Sequence, residues 1–296
     1  MKFTYSLIAV TLAATTASSP ALAEFASCPQ HFVAGQPPQL VNAKLKSRTQ
    51  ELCYEAFAVL HSGQSRTPLY AAERLTRQSL EKARELSRKD SFQAEDRLPE
   101  RDRAELSDYA RSGYDRGHLA PNANMPTRKA QSESFSLANM VPQVHENNAG
   151  VWAGLEAAAR QLARDEGELY VISGPVFSGN EVKSIGRGVL VPTQLWKVIY
   201  SPKQQRAGAY LIDNDKTQDY QVISIAELQK LAGINPLPAL PAQARDKAME
   251  LPKPQANRGG GGSQKNEPPA PQPQQDSILS GLLRLLLELL KGIMGR

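Results

Sequence analysis

Arg116 and His118 stand two positions apart in the stretch Tyr114-Asp115-Arg116-Gly117-His118-Leu119-Ala120-Pro121, directly after the turn-prone pair Ser112-Gly113. In an extended strand, residues i and i+2 point to the same face. Tyr114, Arg116 and His118 then line one surface, and Asp115, Gly117 and Leu119 the other. That surface sets a permanent cation beside the one side chain whose ordinary pKa suits proton abstraction near neutral pH. This is half of what cleavage of a phosphodiester requires. The second half follows at Asn148, Trp152 and Glu156. These fall at i, i+4 and i+8 and share a face if the helix is continuous. An amide oxygen and a carboxylate are the hard oxygen donors that magnesium and its waters prefer. The spacing predicts a strand or hairpin carrying Arg and His, packed on a helix carrying Asn and Glu.

Other chemistry-bearing residues read as structural. His31 and His61 have no charged constellation nearby. His145 lies close to the start of the Asn148 helix but has no partner at informative spacing. Trp152 and Trp196 sit in apolar periodic runs and are expected in the core. Asp115 faces away from His118 on a strand, which favours a salt bridge or hydrogen bond over a metal contact. Two cysteines and four scattered histidines offer no zinc ligand set.

The motifs together resemble the sugar-non-specific DNA/RNA endonucleases of the ββα-metal (His-Me finger) group, the family that includes mitochondrial endonuclease G. Five pieces carry the resemblance in order: Asp115-Arg116-Gly117-His118; Leu137-Ala138-Asn139-Met140-Val141-Pro142-Gln143; Asn148 through Glu156; Val171-Ile172-Ser173-Gly174-Pro175-Val176-Phe177; and Val191-Pro192-Thr193-Gln194-Leu195-Trp196-Lys197-Val198. The match runs from about Arg88 to Gly233. The resemblance implies that His118 is the general base activating water and that Asn148 is the one direct protein ligand of a hydrated Mg2+, for which Mn2+ can substitute. It implies that Glu156 holds metal-bound water. Arg116 and Arg88 would neutralise the transition state, with Arg84 the nearest rival to Arg88, and Asn139 would orient part of the metal and substrate network. Phe135 stands where some relatives carry a further asparagine.

The chain ends suggest a cellular context. Met1 to Ala23 carries Lys2, an apolar stretch around Leu7 to Ala14, and Ala21-Leu22-Ala23 as a small-x-small cleavage signal. This reads as a secretory signal peptide over residues 1–23, with an apolar run too short for a membrane span. An exported, periplasmic or secreted protein is expected, and in that setting Cys28 and Cys53 read as one disulfide. The formal charge of +5 is a mild excess, unlike the dense basic stripe of a tight duplex binder. It fits phosphate contacts to DNA and RNA without sequence readout.

Residues 24–251 fit one α+β domain: a central antiparallel sheet flanked by helices, with the ββα-metal motif on one side. Strands are expected at 54–60, 168–173, 188–200 and 208–213. A hairpin is expected within 107–119 and a helix over 151–166. A capping box at Ser224-Ile225-Ala226-Glu227 opens a short helix stopped by Gly233. Residues 252–275 hold six prolines and Gly259-Gly260-Gly261-Gly262-Ser263 and read as a flexible linker. Residues 276–296 are expected to form an amphipathic helix with a narrow polar stripe, suited to homo-oligomer formation, membrane contact or a partner. The leading function is a metal-dependent endonuclease. The alternatives are a binding-only member of the same fold and an exported nuclease toxin with a protein inhibitor.

Overall fold

The computed structural model describes residues 24–254 apart from Asn180. The chain divides into two units, Met1–Asn257 and Arg258–Arg296, and the described residues belong to the first. The expected signal peptide, nearly all of the linker and the C-terminal helix lie outside the described residues.

The strands in chain order are β1 (Gln39–Leu40), β2 (Thr49–Cys53), β3 (Phe57–Ser62), β4 (Thr67–Thr76), β5 (Asp115–His118), β6 (Met140–Gln143), β7 (Glu168–Val176), β8 (Ser184–Ile185), β9 (Val189–Leu190), β10 (Gln194–Ser201), β11 (Arg206–Asp213), β12 (Gln221–Ile223) and β13 (Ile234–Asn235). The α-helices are α1 (Arg77–Arg84), α2 (Leu106–Tyr109), α3 (Arg128–Ser134), α4 (His145–Asn147), α5 (Ala153–Glu166), α6 (Ile225–Ala232) and α7 (Ala242–Asp246). Seven strands make one sheet in the order β12-β11-β10-β7-β4-β3-β2, with every pairing antiparallel. This is the α+β architecture with the expected central antiparallel sheet.

The sheet is covered on both faces, which explains why its strands read as nearly unbroken apolar runs. Successive side chains alternate between faces. Val59, Ala71, Val171, Ile199 and Tyr210 join one core with Trp152, Leu155, Ala159 and Ala163 from the α5 side. Their neighbours Ala58, Tyr70, Ala72, Ile172, Val198 and Ala209 join a second core with Phe25 and Phe32 of the N-terminal segment and Ile225 and Leu228 of α6. The Cys28–Cys53 disulfide ties that segment to β2, with a Cα–Cα distance of 6.0 Å. Helix α6 starts at the expected capping box, Ser224 and Glu227 bonding reciprocally, and stops at Gly233, whose φ of 69° is left-handed.

Four expected elements differ. The strand expected at 54–60 starts at Phe57 because the Tyr54 N–H donates to the Phe57 carbonyl and closes a turn with β2. Residues 188–200 split into β9 and β10 around Pro192, which has no N–H for a ladder. No hairpin forms within 107–119. Helix α2 occupies the first part, and positive φ values at Arg111 (56°) and Gly113 (81°) turn the chain into β5. The partner of β5 is β6, in the register Asp115↔Gln143, Arg116↔Pro142, Gly117↔Val141 and His118↔Met140. Lastly, the helix after Asn148 is not continuous: a π-turn spans Asn148–Trp152, with Gly150 at φ −98° and ψ −106°.

Candidate active site

Strand β5 delivers Arg116 and His118 to one face, as their spacing predicts. The Arg116 guanidinium lies 4.1 Å over the Phe92 ring, and the His118 ring is 5.8 Å from the same phenylalanine. Phe135 packs edge-on against both Phe92 and His118, at 4.8 and 5.2 Å. The Arg88 guanidinium caps Phe135 at 5.4 Å, with its Nε donating to Asp90 at 2.6 Å. A histidine and two arginines are thus held by two aromatic rings. Arg84, the rival to Arg88, instead neighbours Arg164 on α5.

His118 is 9% exposed, and its Nε2 is buried without a hydrogen-bond partner. Burial, then the charges of Arg88 and Arg116, lower its pKa to about 3, so the imidazole is neutral and able to accept a proton. Its backbone is fixed from two sides. Trp152 Nε1 donates to the His118 carbonyl at 3.0 Å, and the Leu119 N–H donates to the Asn139 carbonyl at 3.0 Å. Asn139 itself is fully buried. Its Oδ1 accepts from Ala120 N–H, and its Nδ2 donates to the carbonyls of Ala120 and Ser134. The amide expected to orient metal and substrate is spent on the backbone, so any orienting effect passes through the loop after His118.

Asn148 sits at the start of the π-turn. Its Nδ2 donates to Asp115 Oδ2 at 2.9 Å, and the same oxygen meets His145 Nδ1 at 2.9 Å. Asp115 therefore makes the structural contact expected of it, and His145 is drawn to β5 through the same carboxylate. Tethering the amide nitrogen leaves the Asn148 carbonyl oxygen without a partner among the described residues. That free hard-oxygen donor fits a magnesium ion that keeps most of its waters. Among the described residues no cluster of three or more His, Cys, Asp or Glu side chains offers a rival cage.

The π-turn breaks the single helix face expected for Asn148 and Glu156, because the wider turn shifts the phase of everything after it. Glu156 nevertheless lies among Arg88, Arg160, Lys197 and Trp152. Burial raises its pKa, and those neighbours oppose the rise. Arg160 Nη1 is 4.0 Å from Glu156 Oε2.

Several residues were missed from sequence. Lys197 is 1% exposed. Its Nζ donates to Ser173 Oγ at 2.6 Å and Leu119 O at 3.4 Å, and lies 4.3 Å over the Trp152 ring. Glu73, 2% exposed, accepts from Asn124 Nδ2 at 3.0 Å, and burial raises its carboxyl to about 7. Lys197 and Glu73 lie in apolar strands that read as core. For Arg160 a signal existed, since it falls one helical turn after Glu156.

Known proteins resemble this chain in sequence and fold. The family model for the DNA/RNA non-specific endonucleases matches residues 37–243. "Nuclease EXOG, mitochondrial" of Danio rerio is 36% identical over 201 residues, covering 60% of this chain and 58% of that protein. "Nuclease 1, mitochondrial" of Schizosaccharomyces pombe is 37% identical over 152 residues, 47% of each chain. The chain thus spans about half the length of these two relatives. "Nuclease" of Nostoc sp. is 30% identical over 220 residues, covering 69% of this chain and 78% of that protein. Among solved structures, the EndoG/EndoGI complex superposes with a TM-score of 0.58 at 28% identity, covering 62% of this chain and 84% of that one. With 207 consecutive residues matched, from β1's approach to α7, this chain belongs to the DNA/RNA non-specific endonuclease family.

Proposed function

We propose that this protein is an exported, magnesium-dependent endonuclease that hydrolyses phosphodiester bonds of DNA and RNA with little sequence preference. The observation that carries the reading is the neutral, buried His118 near Arg88 and Arg116, on strand β5, whose Asp115 tethers Asn148 with its carbonyl oxygen free.

His118 takes the proton from the attacking water. Burial keeps the imidazole neutral and so able to accept, and a positioned general base supplies about 10²–10⁴-fold. Arg116 and Arg88 face the charge that builds on the phosphoryl oxygens, and guanidinium suits a planar two-oxygen contact better than ammonium does. Asn148 would hold the magnesium ion and Glu156 would hold its water. When bound, the ion stabilises charge on the phosphoryl and leaving oxygens, worth several kcal/mol. Mn2+ fits the same donors. Contacts to phosphate carry no sequence information, so broad specificity follows.

Export rests on residues 1–23 and is supported by the Cys28–Cys53 disulfide, a bond typical of oxidising compartments. Two of the relatives above are named as mitochondrial. The solved EndoG structure is a complex with EndoGI, and a protein inhibitor is a partner class for this chain too. The amphipathic sequence of residues 276–296 is assigned to self-association or membrane contact.

The test is digestion of plasmid DNA and of a structured RNA by the mature protein, with magnesium and with EDTA, beside His118→Ala. Magnesium-dependent loss of both substrates, absent in the variant, is expected. Intact substrates with a retarded gel band would replace this reading with binding alone.

A further inference from the structure

Beneath the site, two buried polar groups have no part in the chemistry above. Glu73 lies in the middle of β4, and Asn124 closes the turn Asn122–Asn124 after β5. Asn124 Nδ2 donates to Glu73 Oε2 at 3.0 Å. On its other side Arg160 Nη1 donates to Asn124 Oδ1 at 3.3 Å, and the same nitrogen lies 4.0 Å from Glu156 Oε2. A guanidinium can only donate, so the amide must turn its oxygen to Arg160 and its NH2 to Glu73. The orientation is therefore set by chemistry, and Glu73 offers the acceptor that makes it stable. Either protonation state of the Glu73 carboxyl supplies that acceptor.

Lys197, the other cation of this interior, acts on Glu156 through its charge and not at ion-pair distance. Its Nζ is engaged by Ser173 Oγ and Leu119 O, and among the described residues no carboxylate lies within 4.0 Å of it. Arg160 is the one cation at ion-pair distance from Glu156 among the described residues. A long side chain in a partly exposed position has rotamer freedom to lose, and the bond to Asn124 removes it.

We propose that Asn124 and Glu73 are positioning residues, which never touch substrate but act through Arg160 to hold the Glu156 carboxylate in place. The inference rests on the role given to Glu156 above. It extends the working site to β4, the neighbour of the central strand β7 in the main sheet.

The test is a double-mutant cycle on the full chain. Asn124→Ala, Arg160→Ala and the double variant are compared with wild type for kcat and KM on one defined duplex with magnesium, for Mn2+ binding by electron paramagnetic resonance without substrate, and for thermal unfolding. Asn124→Ala is expected to lower kcat and Mn2+ affinity 10–100-fold, the usual range for a group acting behind a metal site, with KM moved less than about threefold. In the Arg160→Ala background the same substitution should add nothing, because its route is already cut. Additive losses, or an Asn124→Ala variant with wild-type kcat and Mn2+ binding, overturn the inference. Glu73→Gln, which keeps an acceptor, should recover at least tenfold in kcat over Glu73→Leu, which has none. Equal loss in both overturns the part assigned to Glu73. If Glu73→Leu does not unfold cooperatively, the Asn124–Arg160 cycle decides. A wild-type protein with no magnesium-dependent cleavage refutes the proposed function itself, whereas an active wild type with an additive cycle refutes this inference only.

Discussion

Gly117 separates the two site residues of β5, and replacing it with alanine should damage catalysis more than stability. Gly117 does not have a positive φ, so conformational freedom is not why glycine stands there. The reason is the opposite strand. A Cβ on residue 117 would lie 2.7 Å from Gln143 Cβ and 2.9 Å from Gln143 Cδ, where carbon atoms prefer about 3.5–4.0 Å. The deficit is about 1 Å. Turning the Gln143 side chain away would sacrifice its Nε2 donation to Asn147 Oδ1 at 2.6 Å, a net loss of about 0.5–1.5 kcal/mol. It would also fail, because Gln143 Cβ is fixed to the backbone whatever the rotamer. β5 and β6 must therefore separate. Overpacking of this kind costs about 1–3 kcal/mol, and a shift of about 1 Å at His118 costs about 10²-fold in rate. The assay is urea unfolding beside plasmid digestion under conditions where both proteins are folded. Gly113→Ala is the control. It meets nothing within 4 Å but sits at φ +81°, so it should lose about 1–2 kcal/mol while keeping its rate. A Gly117→Ala protein with wild-type stability and a rate within threefold would refute the argument.

Two further predictions concern pH and the metal. His61 is held neutral by burial, its pKa falling from 6.5 to about 4, while its Nε2 meets the Asp102 carbonyl at 2.8 Å. Between those values the unfolded chain binds the proton and the folded one does not, so stability falls as the pH drops from 6.5 towards 4, by about 3 kcal/mol from this residue. His61→Gln should remove that slope in urea unfolding at pH 7 and pH 4, and an unchanged difference between the two pH values would count against it. Asp115→Ala releases the Asn148 amide and should raise the magnesium concentration needed for half-maximal cleavage about 10–100-fold. An unaltered magnesium titration would show that the tether is immaterial.

The arrangement of the candidate site was legible in sequence where it is local, and obscure where it depends on the third dimension. Arg116 and His118 share a face because strand periodicity alone demands it. Cys28 and Cys53 pair, and the capping box at Ser224 opens α6 with Gly233 closing it. These signals span a few residues. The pairing of β5 with β6 was not legible, since 21 residues from Leu119 to Asn139 separate the strands and nothing in either one names its partner. The π-turn at Gly150 was also missed, because the residue types from Asn148 to Glu156 are compatible with an ordinary helix. Glu73 and Lys197 were hidden by their surroundings. In Leu69 to Leu75, where Arg74 is exposed, and in Leu195 to Ile199, a charge amid apolar residues looks like an outward-facing position, but Glu73 and Lys197 are buried in a sheet covered on both faces.

That last point bears on why the interior is built this way. Burying an ion pair seldom stabilises a fold relative to apolar side chains of similar size, because desolvation offsets the attraction. Here Glu73, Lys197, Arg160 and Glu156 act on one another in the interior, where an aliphatic layer would serve stability as well or better. Two of these four, Lys197 through Leu119 O and the Trp152 ring, and Arg160 through Glu156, lead directly to the backbone or carboxylates of the site. A charged layer at this depth costs the fold something that packing alone does not recover. It is best understood as part of the device that fixes the position of His118 and Glu156, with the β4-β7-β10 portion of the sheet as its rigid support.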